Sequence, residues 1–206
     1  MAFLTVASAV LAWFLASSPH QKVDAAPAVV GTKPVVSAGV ASGRIAIGAA
    51  QLREAYRQGL IDHPIKTILD IRQPMSYGDF VWNDKGVAPG PAWIRVDLNS
   101  QLLSVFRSGH EIGTAVVLYG ADGLPTPTGK FPILAKLKNH RSSTYDAPMP
   151  YTLRLTGDGV SIHGSNVRWG FATHGCIGVP AAFAAKLFDV VRVGDEVLIV
   201  SAKRKG

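Results

Sequence analysis

Residues 161–180 read SIHGSNVRWGFATHGCIGVP, and they contain the only cysteine of the 206-residue chain together with two of its six histidines. A lone cysteine is most often a small buried hydrophobe, whereas a cysteine nucleophile needs a nearby imidazole to take its proton. We expect His163 to end a strand and Cys176 to lie in a glycine-bounded loop, so that the chain between them folds back. The segment therefore predicts a nucleophile, Cys176, and its base, His163.

The loop before the cysteine offers a second catalytic feature. Gly175 permits the tight backbone that such a turn requires, because glycine adopts positive φ without steric cost. The backbone N–H groups of Gly175 and Cys176 would then face the oxygen of a tetrahedral intermediate. A zinc site built from His163, His174 and Cys176 is the competing interpretation, but the spacing lacks a paired C-x-x-C or H-x-x-x-H and a fourth ligand. We predict no metal and no cofactor.

Outward from this segment, the sequence is typical of short strands separated by turns of Gly, Pro, Asp and Asn. Residues 93–98 alternate apolar and polar side chains, and with residues 102–106 they predict a hairpin. One helix is predicted over residues 181–190, after Pro180, which suits a first helical turn. Further strands are predicted over residues 111–119, 130–137, 151–156, 160–163 and 196–200.

Composition divides the rest of the chain into distinct parts. Residues 1–26 begin with an apolar, uncharged run and continue into small residues, which is typical of a secretory signal peptide; an uncleaved N-terminal anchor is the alternative. Residues 27–48, rich in Ala, Val, Pro, Ser and Gly, predict a flexible linker. Residues 49–91 predict a small region that opens with an amphipathic helix over 49–60 and continues irregularly. A mainly β domain over residues 92–200 and a basic tail over residues 201–206 complete the chain.

The net charge of +7 favours anionic surroundings. Nucleic acid is not predicted as a partner, because the basic residues are scattered and show neither aromatic interleaving nor a recognition motif. An anionic polymer of the cell envelope fits an exported chain better. We therefore expect the periplasm or cell envelope, with membrane contact only through the N-terminal segment if it stays uncleaved.

Residues 162–164, IHG, and residues 173–177, THGCI, resemble the signature of the L,D-transpeptidase family, the YkuD-type catalytic domain. The resemblance extends over about residues 92–200, and it implies a mainly β domain, a β-sandwich or barrel, with a short helix after the cysteine loop. Further landmarks of that domain are matched, in the same order, by residues 94–98, 102–106, 125–131 and 147–151.

The resemblance implies an enzyme in which Cys176 attacks the carbonyl between the diamino acid and the terminal D-alanine of a peptidoglycan stem peptide. D-Alanine leaves, and a thioester remains on the cysteine. An amine on a second stem peptide, or on an envelope protein, then resolves the acyl-enzyme, which cross-links the wall or attaches the protein. Water as the acceptor would make the enzyme an L,D-carboxypeptidase or hydrolase. An inactive wall-binding module is the alternative of another class.

In the family's terms His163 is the base, Gly164 orients it through its backbone, and His174 and Gly175 belong to the nucleophile loop. Thr173 matches the Ser or Thr of the signature. A half-buried packing role is the alternative for any tyrosine near the site. The candidate substrate-binding residues are Thr173, Arg168, Tyr145 and Tyr151.

The sequence departs from the family's pattern in two places. The loop between His163 and Cys176 is somewhat shorter than in much of the family. Gly178 stands where an Arg or Asn usually follows the Cys-Ile pair. We therefore expect substrate anchoring to rely more on neighbouring groups such as Arg168, although Arg168 as a solvated loop residue is the equal alternative.

Overall fold

A computed structural model of the protein describes residues 43–121 and 123–201. The expected signal peptide, the linker up to residue 42 and the tail from residue 202 lie outside these residues. In the part of the chain that the structure describes, neither helix is long and apolar enough to cross a membrane.

The described chain is mainly β, which confirms the predicted fold class. Its two helices are α1 (Ala49–Arg57) and α2 (Ala181–Val190). The strands are β1 (Arg44–Ala46), β2 (Thr67–Leu69), β3 (Phe80–Trp82), β4 (Ala92–Asp97), β5 (Leu102–Arg107), β6 (His110–Val116), β7 (Gly129–Pro132), β8 (Ala135–Arg141), β9 (Pro148–Arg154), β10 (Ser161–Ser165), β11 (Ile177–Pro180) and β12 (Glu196–Val200).

The larger sheet has the strand order β1-β2-β6-β5-β4-β12-β7, and β3 also pairs with β6. The predicted hairpin is β4 and β5, which run antiparallel with Asp97 opposite Leu102 at the turn. β12 lies parallel to β4 on its other side, with Ile199 opposite Val96. In the described part of the chain the path of strands does not close on itself, so the larger sheet is open.

The smaller sheet has the order β11-β10-β9-β8, in which β10 and β11 are parallel and the other pairs antiparallel. The single strand expected over residues 130–137 is divided between the two sheets. Pro132 ends β7 because proline has no N–H for the ladder. The next two N–H groups are bound on different sides. Ile133 donates to Asp195, the residue before β12 of the larger sheet, and Leu134 donates to Arg154 of β9 in the smaller sheet.

One hydrophobic cluster lies between the two sheets and α2. Burial of these side chains holds the three elements together, each one contributing about 1.5–3 kcal/mol. The cluster includes the direct sequence neighbours of His163 and Cys176, so the strands that carry them are anchored in the core. Its central members, all fully buried, are Ile94, Val96, Ile162, Ile177 and Phe183.

The second face of the larger sheet is also covered, mainly by side chains of residues 47–68. Arg95 and Asp97, the polar partners in the alternating pattern of β4, are only 1% and 4% exposed, so the alternation does not mark a solvated face. They form an ion pair of 3.0 Å between Arg95 Nη2 and Asp97 Oδ2. A separate hydrophobic cluster beside them contains Ile61, Ile65, Ile68, Trp93 and Phe106.

Residues 43–91 have more regular secondary structure than their composition indicates. Residues 44–46, assigned by composition to the linker, form β1, and the stretch expected to be irregular adds β2 and β3 to the sheet. The sequence predicts that Gly59 marks the end of the first helix, and α1 ends at Arg57, two residues before it. The cause is Gly59, whose φ of 67° lets the N–H groups of Gly59 and Leu60 turn back to the last helical carbonyls.

Glu111 is a fully buried carboxyl group between the larger sheet and the residues that cover it. Its Oε2 accepts a hydrogen bond of 2.8 Å from the Leu69 N–H. Burial raises the pKa of Glu111 to about 7, against the opposing effect of hydrogen bonds from Ser104 and Leu69 and of the Arg95 charge. The protonated acid is therefore the form that the fold prefers.

We predict that Glu111→Gln removes a pH dependence of stability. Because the pKa is higher in the folded chain than in the unfolded one, the stability contributed by Glu111 is complete below about pH 4.5 and is lost as the pH rises through about 7. We expect the difference between the unfolding free energies of the variant and the wild type, both measured in urea, to change in favour of the variant by about 2–3 kcal/mol between about pH 4.5 and pH 7. Glu54→Gln, on the exposed α1, is the control. Parallel curves for wild type and Glu111→Gln would contradict the assignment.

Candidate active site

The parallel pair β10 and β11 carries the two predicted catalytic side chains. Ile162 lies opposite Ile177, and His163 lies opposite Gly178. Since Ile162 points into the core, strand alternation turns His163 to the opposite face of the sheet. Cys176 directly precedes β11, and its thiol contacts the turn that leads into β10. The histidine and the cysteine thus lie on neighbouring strand segments.

His163 is half-buried, and its tautomer is set by its neighbour. Its Nδ1 lies 3.0 Å from the carbonyl oxygen of Gly164. A carbonyl can only accept, so Nδ1 carries the hydrogen and Nε2 of the neutral ring is unprotonated. Burial lowers the pKa of His163, a hydrogen bond to Gly164 opposes this, and the charge of His140 adds to the lowering. The ring is therefore a neutral imidazole at neutral pH.

Gly164 has room for no side chain. A Cβ there would lie 3.1 Å from Pro150 Cγ, 3.2 Å from Pro150 O and 3.3 Å from Ala181 Cα. Only glycine lets β10 approach both β9 and the start of α2 this closely. Gly164, whose carbonyl receives the His163 hydrogen bond, is consequently packed closely between β9 and the start of α2.

Cys176 is half-buried, and its thiol donates toward the carbonyl oxygen of Gly159, with an S···O distance of 3.8 Å. Burial raises the pKa of Cys176, a hydrogen bond from the Ser161 backbone N–H lowers it, and the Asp158 carboxylate raises it again. The net direction is upward, so the thiol keeps its proton at neutral pH. The thiol of Cys176 and the imidazole of His163 are therefore both neutral at neutral pH.

Two threonine hydroxyls fix the peptide planes of the nucleophile loop. Thr126 Oγ1 is buried, donates to Gly175 O at 3.0 Å and accepts from the Gly120 N–H at 2.9 Å. Thr173 Oγ1 donates to Cys176 O. Because the peptide is trans, the Cys176 N–H points away from the Gly175 carbonyl and hence away from Thr126. Among the described residues, no loop or side-chain hydrogen bond uses the N–H of Gly175 or Cys176.

The segment that holds this loop was not predicted as part of the site. Gly175 has φ of 100°, as its predicted tight backbone requires. A Cβ at Gly120 would lie 2.1 Å from Leu124 O and 2.9 Å from Gly175 N, so the two glycine backbones are in direct contact. Tyr119 O accepts from the Thr173 N–H at 3.0 Å. The sequence indicated this segment only through residues 125–131, which resemble a conserved stretch of the family's domain. It gave no role to Thr126.

The other predicted residues are distributed unevenly around the loop. Tyr145 stacks on His174, with ring centroids 4.1 Å apart and planes inclined by 16°. Tyr151 packs instead against Phe188 of α2, with centroids 5.8 Å apart. Arg168 is exposed, and its Nε donates to Asn166 Oδ1 at 2.9 Å. Tyr145 thus contacts the nucleophile loop, and Tyr151 has the half-buried packing position given as its alternative.

Gly178 has a packing explanation of its own. A Cβ at this position would lie 2.9 Å from Ser165 Cβ and 3.5 Å from Leu118 Cβ. Two backbone hydrogen bonds of 2.9 Å join Gly178 and Leu118 in both directions. The close approach of Leu118 and Ser165 therefore favours glycine at position 178.

Potential metal ligands gather elsewhere. Within residues 43–121 and 123–201, the one group with suitably close donor atoms is Asp62, His63 and Glu196, at the larger sheet. Lys130 already supplies a cation there, since its Nζ pairs with Asp62 and lies 3.8 Å from Glu196 Oε1. The three residues of the zinc alternative, His163, His174 and Cys176, do not form such a group.

A mainly β fold with this histidine and cysteine pair matches one known family. The chain belongs to the L,D-transpeptidase family, because the model of the L,D-transpeptidase catalytic domain, YkuD, matches residues 91–199. This is an enzyme family. The match confirms the resemblance drawn from the IHG and THGCI motifs.

Named relatives agree with this assignment. L,D-transpeptidase 1 of Mycobacterium tuberculosis strain H37Rv is 29% identical over 136 residues, which are 56% of this chain and 53% of that protein. The chain thus spans about half the length of the curated relatives it matches. The crystal structure of an L,D-transpeptidase from Stackebrandtia nassauensis aligns with a TM-score of 0.52 and 26% identity, over 60% of this chain and 62% of that one. A crystal structure from M. tuberculosis H37Rv, with 24% identity and a TM-score of 0.50, shares the fold over 54% of this chain and 58% of its own.

We predict that Thr126→Val destabilises the fold by about 1–3 kcal/mol, because the Gly175 carbonyl and the Gly120 N–H both lose their buried partner. Urea unfolding measures the loss. Thr126→Ser, which keeps the hydroxyl, should recover most of it, and Thr128→Val, an exposed position two residues away, should be close to wild type. A Thr126→Val variant as stable as the wild type would show that the hydroxyl does not hold the loop.

Proposed function

We propose that this chain is a peptidoglycan L,D-transpeptidase that acts through a thioester on Cys176, with His163 as the general base. The observation that carries the proposal is the neutral His163 ring, with its tautomer set by Gly164, on the strand beside the only cysteine of the chain. Membership of the family supports the substrate class, since L,D-transpeptidases act on peptidoglycan stem peptides.

In the first half-reaction the thiol turns from the Gly159 carbonyl toward Nε2 of His163. Nε2 accepts the thiol proton while Sγ attacks the carbonyl carbon between the diamino acid and the terminal D-alanine. The N–H groups of Gly175 and Cys176 are available to the oxyanion that forms. The imidazolium then gives its proton to the departing amine, the C–N bond breaks, D-alanine leaves, and the acyl group remains on sulfur.

In the second half-reaction an amine attacks the thioester carbonyl. His163, neutral again, takes a proton from the amine, and the C–S bond breaks as the new amide forms. The cysteine sulfur then recovers its proton from the imidazolium. An amine of a second stem peptide gives a cross-link, and an amine of an envelope protein gives an attached protein. Water in the same position gives the carboxypeptidase alternative.

Such a substrate lies outside the cytoplasm, and so the proposal includes export of the chain. The apolar start and small residues of the segment at 1–26 support a signal peptide or an N-terminal anchor. The net charge of +7 suits an anionic wall polymer.

We predict that the purified protein, incubated with disaccharide-tetrapeptide muropeptides, yields cross-linked dimers and stoichiometric D-alanine, as measured by mass spectrometry. Cys176→Ala should form neither product. His163→Ala should lower the rate by about 10²–10⁴-fold, the usual contribution of a general base. His110→Ala is the matched control, because His110 contacts Thr67 at the larger sheet.

Each product pattern decides between the alternatives. Tripeptides without dimers would identify a hydrolase, and unchanged tetrapeptides would favour a wall-binding module. Dimers formed by Cys176→Ala would contradict the mechanism altogether.

A further inference from the structure

Two large aromatic side chains are exposed to solvent in the loop between His163 and Cys176. Trp169 is 81% exposed and Phe171 is 61% exposed. The Phe171 N–H donates to the Arg168 carbonyl at 3.3 Å, and Gly170 between them has φ of 80°. A glycine of positive φ in the third position of a hydrogen-bonded four-residue turn is typical of a type II turn. The turn presents Trp169 at its second, corner position.

Other exposed apolar side chains lie on the loops that contact the nucleophile loop. Tyr145, stacked on His174, is 51% exposed, and Leu124, whose carbonyl packs on Gly120, is 48% exposed. We name these four residues, Leu124, Tyr145, Trp169 and Phe171, the apolar rim. Several exposed large apolar side chains on the loops around one segment favour an interaction site, whereas single exposed residues do not. A tryptophan at a turn corner also forgoes the burial energy that its large ring would gain in a core.

The chain connects Phe171 of the rim directly to the loop that carries Cys176. Phe171 lies two residues before Thr173, which is held to Tyr119 and binds the Cys176 carbonyl. In a tetrapeptide stem, three residues separate the scissile carbonyl from the sugar, and an extended chain spans about 10 Å over that length. A stem peptide bound at Cys176 therefore brings its own sugar close to the surrounding loops.

We propose that Trp169 and Phe171 form a glycan subsite, in which they stack on a sugar ring of the strand whose stem peptide is bound at Cys176. The proposal rests on the proposed function. A β-1,4-linked amino sugar in its chair form carries its substituents equatorially, so its ring faces present axial C–H groups. These flat, weakly apolar faces match the faces of indole and phenyl rings. The subsite would give preference to donors that are still attached to the glycan.

The charges near the turn favour a sugar over a lipid surface. The turn has one cation, Arg168, whose guanidinium is hydrogen-bonded to Asn166. A loop that inserts into anionic lipid typically combines aromatic residues with a cluster of lysine and arginine. Insertion of this turn would also bring the membrane onto the loop that carries Cys176.

The test compares two donors, a free tetrapeptide and the same tetrapeptide carrying its disaccharide. Trp169→Ala should lower kcat/KM for the disaccharide donor about tenfold more than for the free peptide. Trp169→Phe should recover most of that difference, because it keeps an aromatic face. Val193→Ala, at an exposed apolar position in the turn after α2, is the control and should change neither value. Equal losses on both donors would show that Trp169 only shapes the loop, and would overturn the subsite.

A binding measurement keeps this inference separate from the proposed function. A β-1,4-linked N-acetylglucosamine tetramer should quench the tryptophan fluorescence of Cys176→Ala, and the double variant with Trp169→Ala should lose that response. Binding to anionic phospholipid vesicles without a response to the sugar would overturn the proposal. If the wild type consumed neither donor, the proposed function would fail, and the sugar titration alone would still decide the subsite.

Discussion

The site depends on the parallel pairing of β10 with β11. Ile162 and Ile177 lie opposite each other in the core, and this one pair sets the register of the two strands. A shift by one residue would send His163 into the core and expose an isoleucine, which the lost burial of about 1.5–3 kcal/mol per side chain opposes. His163 and Cys176 are therefore held in place by the hydrophobic packing behind them.

The same burial that holds the pair keeps it uncharged. Desolvation lowers the pKa of His163 and raises that of Cys176, so both groups prefer their neutral forms before substrate arrives. In the proposed mechanism, proton transfer accompanies attack on the carbonyl, when the developing oxyanion and the imidazolium stabilise each other. Thr126 and Thr173 bind the carbonyls of Gly175 and Cys176, which leaves the backbone N–H groups of this loop for the proposed oxyanion. The polar parts of the site are thus supported by three neighbouring segments.

Local signals predicted the β4–β5 hairpin, α2 and β12, because alternation, turn residues and Pro180 act within a few residues. The motif also brought His163 and Cys176 to attention, since a lone cysteine near histidines is informative by itself. The division of residues 130–137 between two sheets depends on which partner each strand meets, and a continuous apolar pattern does not encode that. Burial of Arg95 and Asp97 depends on the covering layer, and the role of Thr126 depends on a contact with a loop about fifty residues away. Such features follow from tertiary structure and not from any local pattern.

We propose that Cys176 and His163 are both neutral before substrate binds. The most direct measurement is the ultraviolet absorbance of the thiolate as a function of pH, taken as the difference between the wild type and Cys176→Ser. A neutral pair predicts no thiolate band at neutral pH and a rise only above the ordinary thiol range of about pH 8.5. A thiolate band that is already present at neutral pH and is abolished by His163→Ala would instead reveal an ion pair between the two residues. That result would contradict the neutral forms proposed for Cys176 and His163.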